Sequence, residues 1–144
     1  NPTVDLLSDK AQNSVSPNYG TTTRTRSGVN TYRQGDIALV PFPFSDLSAQ
    51  KVRPVLILSN DSYNRQSADV VVCGLTTNLK PMPYSVLVEV TDVEESGTLR
   101  HRSKVKSDAL ASLERSLLLK TIARLKPAIF DQVISEIQDL IRSS

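Results

Sequence analysis

The sequence predicts a mainly β protein, a small antiparallel barrel that is closed by one C-terminal α-helix. From residue 36 onward, short apolar runs of strand length alternate with loops that hold Pro, Asn, Asp and Ser. After Pro127 the apolar residues instead recur every three or four positions, which is the spacing of a helix. Five or six short strands at these intervals favour a small barrel over an open sheet.

Four apolar runs are the clearest strand candidates. They are DIALVPF (36–42), RPVLILS (53–59), DVVVCGLTT (69–77) and YSVLVEV (84–90). Residues 98–106 and 117–125 are weaker strand candidates, and residues 107–116 fit either a short helix or a strand. The segment NDSYNRQSA between the second and third runs has the composition of a loop.

The last predicted element is an amphipathic helix. Pro127 suits the first turn of a helix, where its missing N–H costs nothing. One apolar stripe follows, made of Phe130, Val133, Ile134, Ile137, Leu140 and Ile141. This stripe favours packing against the core, and binding to a partner protein is the alternative.

The N-terminal residues 1–34 differ in composition from residues 35–144. They are rich in Ser, Thr, Asn and Gly, which predicts an extended or disordered tail. The tail holds four basic and two acidic residues, so the formal net charge of +2 lies there. The predicted globular domain, residues 35–144, is neutral overall. If this domain binds nucleic acid, it must do so through a local basic patch.

The composition excludes several classes of protein. No apolar run approaches the roughly 20 residues of a membrane-spanning helix, and the first residues show no signal-peptide core. Cys73 is the one cysteine, so no internal disulfide is possible, and its apolar neighbours favour a core residue over a reactive thiol. His101 is the one histidine, which excludes mechanisms that need two in one subunit. We expect a cytoplasmic protein with no membrane partner, no metal and no cofactor.

The acidic segment TDVEESG (91–97) leaves two interpretations open. Asp92, Glu94 and Glu95 together suggest a magnesium site. The segment lies between two strand candidates and ends in Gly97, which favours a solvated turn.

Four cations recur at every second position of TLRHRSKVK (98–106). They are Arg100, Arg102, Lys104 and Lys106. In a strand this spacing would place all four on one face. The charges would either protect an edge strand from pairing with other chains or follow a nucleic-acid backbone. Both interpretations stay open.

Arg53 begins one predicted strand, and the threonines of GLTTN (74–78) end another. If the two strands are antiparallel neighbours, the start of one lies beside the end of the other. Arg53, Thr76 and Thr77 would then meet at one rim of the barrel. An arginine at a strand start and threonines at a strand end are also ordinary structural choices, so the residues alone leave the function of this rim open.

The segments QGDIALVPFPFSDLSAQKVRPVLILSNDSYN and DVVVCGLTTN, in this order, closely resemble the MazF/PemK toxin family. SDALASLERSLLLKTIARL resembles a later segment of the family more loosely, and the resemblance covers about residues 34–142. It implies a small SH3-like barrel with a C-terminal helix and the activity of a sequence-specific endoribonuclease from a type II toxin–antitoxin pair. The arginine of the R-P motif and the first threonine of T-T are the family's catalytic pair, which implies roles for Arg53 and Thr76.

The resemblance also implies a mechanism. The 2′-OH of single-stranded mRNA would attack the adjacent phosphate without a metal, leaving a 2′,3′-cyclic phosphate and a free 5′-OH. A guanidinium can hold two oxygens of the developing dianion, which suits Arg53, and Thr76 would orient the phosphate or the 2′-OH. Further RNA contacts are predicted, from neighbouring loops and from family segments, at Lys51, Thr77, Asn78, Lys80, Phe42, Phe44 and Ser112. Tyr63 is a further candidate for base stacking.

The partners implied by the resemblance are single-stranded RNA, a cognate antitoxin and a second copy of the chain in a homodimer. Operator DNA would be bound only by the toxin–antitoxin complex. An acidic, apolar antitoxin segment would occupy the RNA groove and relieve growth inhibition. Two alternatives remain: a non-catalytic toxin like the gyrase-poisoning CcdB proteins, which share the fold, or a degenerate homologue that only binds RNA or its antitoxin.

Overall fold

Six antiparallel strands form one curled sheet, and a C-terminal helix packs against it. The computed structural model describes residues 32–42 and 51–143. The predicted mainly β fold with a C-terminal helix is confirmed. Within the described residues, no helix combines the length and the apolar character needed to cross a membrane.

The elements follow one another in a simple order along the chain. They are β1 (Asp36–Phe42), β2 (Lys51–Ile57), α1 (Asp61–Gln66), β3 (Asp69–Thr76), β4 (Ser85–Val88), β5 (Ser103–Glu114), β6 (Lys120–Arg124) and α2 (Pro127–Ile141). In the sheet their order is β4-β5-β3-β2-β1-β6, and every neighbouring pair is antiparallel.

The sheet buries apolar side chains on both faces, because successive residues of a strand point to opposite sides. One face carries a cluster that α2 covers, and we call it the helix face. Its buried residues include Ile37, Leu56, Cys73, Leu75, Val86, Val105 and Val133. The opposite face carries a second cluster, made of Ala38, Val40, Val55, Ile57, Val70, Val72, Leu113 and Leu118. The residues of β1, β2 and β3 therefore alternate between two apolar environments.

The segment between β4 and β5 completes the curl by pairing with the outer edge of β6. The N–H of Glu94 donates to the carbonyl of Arg124 at 2.7 Å, and the N–H of Thr98 donates to the carbonyl of Ile122 at 3.0 Å. Val93 also forms an isolated antiparallel bridge with Leu125. The carbonyls of Ile122 and Arg124 are thus paired on the outer edge of β6, which covers part of a sheet edge that would otherwise be exposed.

β5 changes register midway along its pairing with β3. Lys106 pairs with Gly74, and the next paired residue of β5, Leu110, is opposite Cys73. Three residues of β5, 107–109, therefore bulge out against a single step of β3. Since three is an odd number, the side chains of β5 exchange faces across this bulge. Lys104 and Lys106 lie on the face opposite α2, and so do Ala111 and Leu113 beyond the bulge.

Both helices begin at residues suited to a helix start. Asn60 caps α1, since its side-chain oxygen accepts the N–H of Tyr63 at 2.8 Å. Pro127 begins α2, as predicted, and Val133 is fully buried against the sheet. Three further residues of the predicted stripe, Phe130, Ile134 and Ile137, pack around the same cluster, and so does Ile129, which the predicted stripe did not include. The core-packing interpretation of the stripe is confirmed, although Ile141 remains exposed.

The bounds or the type of several predicted elements were wrong. Residues 107–116 belong largely to β5, so the helical interpretation fails and the strand alternative is correct. The strand predicted at 98–106 begins only at Ser103. The predicted loop NDSYNRQSA contains α1, whose six residues are too few to show a helical period. The strand predicted at 117–125 is confirmed in part, as Lys120–Arg124.

The chain is attached to the barrel from Tyr32 onward. The hydroxyl of Tyr32 donates to the carbonyl of Leu118 at 3.3 Å, and the side chain of Gln34 donates to the carbonyl of Leu58 at 2.8 Å. Residues 1–31 of the predicted tail lie outside the described residues, and the division at residue 34 stays a prediction.

We predict that Gly97→Ala destabilises the domain. A Cβ at this position would lie 2.5 Å from the carbonyl oxygen of Ile122 and 2.6 Å from the Cα of Ala123, both backbone atoms. The substitution should cost about 1–3 kcal/mol of unfolding free energy, measured by urea denaturation. Gly74→Ala is the matched control, because its Cβ would meet only the Cβ of Ala109 at 3.7 Å. Equal urea midpoints of unfolding for Gly97→Ala and Gly74→Ala would contradict the close approach of residue 97 to β6.

Candidate active site

The pairing of β2 with β3 determines where Arg53 and Thr76 lie. Val55 is opposite Gly74, and this is the last paired position at that end of the two strands. Arg53 precedes Val55 by two residues, and Thr76 follows Gly74 by two. Both therefore lie on the face of Val55, and the same register continued by two residues would bring them opposite each other. The predicted antiparallel neighbourhood of these strands is confirmed.

Two lysines of β5 continue this group across the sheet. Lys104 is opposite Thr76, and Lys106 is opposite Gly74, so both point to the same side as Thr76. Lys51, two residues before Arg53, lies on this side as well. We call the surface formed by Lys51, Arg53, Thr76, Lys104 and Lys106 the cationic face. It lies opposite the helix face and adjoins the apolar cluster that includes Val55.

Arg53 is exposed and packs against an aromatic ring. Its guanidinium carbon lies 5.4 Å from the centroid of the Phe42 ring, within the range of a cation–π contact. Among the described residues no carboxylate lies within ion-pair distance of Arg53. The guanidinium is thus held by a ring that leaves its N–H groups able to bind an anion.

The hydroxyl of Thr76 is oriented by the turn that follows it. The N–H of Asn78 donates to Thr76 Oγ1 at 3.1 Å. This bond uses the hydroxyl oxygen as an acceptor, so the hydroxyl proton can be donated to a ligand on the same side. The N–H of Lys80 in turn donates to Oδ1 of Asn78 at 3.1 Å, which makes the segment a compact turn.

Most other predicted RNA contacts lie at the same end of the sheet. Thr77, Asn78 and Lys80 form the exposed turn after β3, and Lys51 pairs with Phe42 at the open end of β1 and β2. Phe42 was expected in a loop beside the site, but it is the last residue of β1, and it is 41% exposed. Phe44 lies outside the described residues.

The structure does not bring Ser112 or Tyr63 to this end. Ser112 pairs with Val71, five residues before Thr76 along β3, a separation of about 17 Å. It is also on the helix face, because Val71 packs against that cluster. Tyr63 lies on α1, beyond the end of β2 that is remote from Arg53. The role of Ser112 in RNA binding stays a prediction without geometric support within one chain.

The expected row of four cations is only half correct. Arg100 and Arg102 precede β5, and Arg102 pairs instead with Glu89, at 3.1 Å. Lys104 and Lys106 do share a face, as the alternation predicted. β5 lies between β4 and β3, so the interpretation of this segment as an edge strand is wrong. What sequence reasoning missed is that Lys104 reaches the turn after Thr76, where its Nζ donates to the carbonyl of Lys80 at 3.1 Å.

The acidic segment 91–97 forms a turn rather than a cluster of ligands. Val90–Asp92 is a single 3₁₀ turn, and the carboxylate of Asp92 accepts the N–H of Glu89 at 2.8 Å. Across residues 32–42 and 51–143, no three or more His, Cys, Asp or Glu side chains are grouped so that they could hold a metal ion.

A family model that describes the PemK-like, MazF-like toxin of type II toxin–antitoxin systems matches residues 33–141. The chain belongs to this family. The match extends from the residues just before β1 to the last turn of α2, so the MazF-like toxin domain includes every element described above. A comparison with curated proteins gave no match.

Solved structures support the same fold. An endoribonuclease from a mycobacterial species is 26% identical, with a TM-score of 0.57, over 76% of this chain and 89% of that one. A mycobacterial endoribonuclease in complex with its cognate antitoxin is 23% identical, with a TM-score of 0.60, over 78% and 99%. MazF from Deinococcus radiodurans is 22% identical, with a TM-score of 0.62, over 77% and 96%.

We predict that the Cys73 thiol is inert in the folded protein. The side chain is fully buried in the helix-face cluster. Burial, with a smaller contribution from Asp108, raises the pKa of Cys73 to about 12, so almost no thiolate forms near neutral pH. An Ellman titration at pH 8 should detect no thiol in the native protein and one per chain in guanidinium chloride. Fast labelling of native protein would show that the thiol is accessible.

Proposed function

We propose that this MazF-like chain is a metal-independent endoribonuclease that cleaves single-stranded mRNA at preferred sequences. The observation that carries the proposal is the placement of Arg53 and Thr76 at adjoining ends of β2 and β3, on one face that holds several cations. The 26% identical mycobacterial structure, an endoribonuclease, supports the class of reaction.

In this mechanism the RNA supplies its own nucleophile. The 2′-oxygen bonds to phosphorus while the bond from phosphorus to the 5′-oxygen breaks. The 2′-OH gives up its proton, and the departing 5′-oxygen gains one. The products are a 2′,3′-cyclic phosphate and a 5′-OH. Arg53 would hold two oxygens of the phosphorane-like transition state, where negative charge is greatest.

Thr76 would donate its hydroxyl proton to a phosphate oxygen. The hydrogen bond from the Asn78 N–H already occupies the hydroxyl oxygen, which favours donation over acceptance. Lys51 and Lys106 would bind flanking phosphates by charge. Phe42 and the turn of residues 77–80 would contact bases, since stacking and edge hydrogen bonds are the usual means of reading single-stranded RNA.

We also propose that an antitoxin with an acidic and apolar segment covers the cationic face. Exposed apolar side chains lie on this side beyond the cations, namely Phe42 and Leu87. Such a surface suits an anionic segment with apolar anchors. The similar structures include toxins bound to their antitoxins, namely MazE–MazF from D. radiodurans and the mycobacterial complex. On family grounds we further propose that the toxin acts in the cytoplasm as a homodimer.

We predict that Arg53→Ala lowers the cleavage rate by roughly 100-fold or more, because one preorganised donor to the transition state is lost. The cleavage rate of Arg53→Lys should lie between those of the wild type and Arg53→Ala, since lysine keeps the charge but cannot hold two oxygens in the planar geometry of a guanidinium. Thr76→Val should also reduce the rate. The assay uses a mixed-sequence RNA in EDTA, with 5′-OH ends detected by kinase labelling and cyclic phosphates by resistance to phosphatase.

Arg65→Ala provides the control, because it removes the same charge from an exposed site on α1. Undiminished cleavage by Arg53→Ala would refute the assigned mechanism. RNA binding without cleavage by the wild-type protein would instead support a degenerate homologue.

A further inference from the structure

Three hydrogen bonds connect β5 to the hydroxyl of Thr76 through the turn that follows β3. Lys104 Nζ donates to the carbonyl of Lys80, the N–H of Lys80 donates to Asn78 Oδ1, and the N–H of Asn78 donates to Thr76 Oγ1, each at 3.1 Å. Lys104 is also opposite Thr76 in the β3–β5 register. The turn is thus fastened at both ends to neighbouring positions of the sheet.

The turn has little else to hold it. Its four residues, Thr77, Asn78, Leu79 and Lys80, are all exposed. Exposed turns with few buried contacts belong to the least stable parts of a protein. A threonine side chain has three staggered rotamers, and the bond from the Asn78 N–H selects among them. The position of that N–H depends in turn on the fold of residues 77–80.

We propose that Asn78 and Lys104 are positioning residues that fix the rotamer and donor direction of the Thr76 hydroxyl. Asn78 closes the turn by accepting the Lys80 N–H, and Lys104 anchors the closed turn to β5 through the Lys80 carbonyl. The consequence for catalysis rests on the function proposed for Thr76, whereas the effect on its rotamer does not.

A direct contact between Lys104 and an RNA phosphate is the competing role. An ammonium group has three donors, and one of them is used on Lys80. The two roles differ in what they change. Loss of a phosphate contact weakens binding and lowers the salt dependence of KM. Loss of positioning leaves binding intact and lowers kcat, because the hydroxyl is misplaced only for the reaction.

The test uses two matched sets of variants in the full chain. Lys104→Met removes the ammonium and keeps much of the aliphatic stem, while Lys120→Met removes an equal charge from an exposed position of β6, which three strands separate from β5 in the sheet. Asn78→Ala removes the acceptor of the turn, while Asn78→Ser restores a neutral acceptor that can form the same kind of turn. Thermal unfolding establishes that each variant is folded.

We expect Lys104→Met to lower kcat roughly tenfold with KM unchanged. Asn78→Ala should lower kcat by a similar factor, and its KM should also change, because the turn of residues 77–80 would contact bases. Asn78→Ser should recover much of the loss, and Lys120→Met should match the wild type. A rise in KM with unchanged kcat for Lys104→Met would overturn the proposal in favour of a phosphate contact.

The second readout needs no activity. Three-bond couplings to the Thr76 methyl carbon report its χ1 rotamer in NMR spectra of the free protein. We expect one rotamer in the wild type and averaged couplings in Lys104→Met and Asn78→Ala. Unchanged couplings in both variants would overturn the proposal. Averaged couplings, combined with full activity of Thr76→Val, would instead overturn the catalytic role of Thr76 and leave the positioning itself supported.

Discussion

The antiparallel register of β2 and β3 is the constraint on which the proposed site depends. Pairing Val55 with Gly74 fixes which residues of the two strands share a face, and a slip of one residue would turn Arg53 or Thr76 toward α2. The buried side chains of both strands enforce this register. Leu56 and Cys73 fill the helix face, and Val55 and Val72 fill the opposite cluster. The apolar core therefore specifies the geometry of the polar residues at its exposed end.

The cationic face carries an electrostatic cost in the free protein. Lys104 and Lys106 occupy alternate positions of β5, and Arg53 lies on the same side two strands away, while none of the residues paired with them is acidic. Like charges on one face of a sheet repel each other. A polyanion or an acidic protein segment would relieve this repulsion on binding, so part of the affinity would come from the unfavourable free state. The two apolar clusters supply the stability that tolerates the repulsion.

Sequence reasoning predicted the features that depend on long apolar runs and missed those that depend on register. β1, β2, β3 and α2 were predicted because their apolar residues are continuous or regularly spaced. Arg53 and Thr76 could be placed together because an antiparallel pair brings a strand start beside a strand end. In contrast, the stretch SDALAS has the composition of a helix, and pairing with β3 overrides that preference. The contact of Lys104 with Lys80 could not be foreseen, because it requires the pairing of β5 to be known residue by residue.

The bulge of residues 107–109 changes which residues of β5 face α2. On its N-terminal side even-numbered residues face away from α2, and on its C-terminal side odd-numbered residues do so. If the bulge kept its three residues and the C-terminal half kept its register, a single-residue insertion or deletion would move the N-terminal half by one position. Lys104 and Lys106 would then point into the helix-face core. A change of two residues would preserve both halves. With a bulge of fixed size, the parity of the number of residues between the lysines and the second apolar cluster decides which face the lysines occupy, whereas the number itself does not.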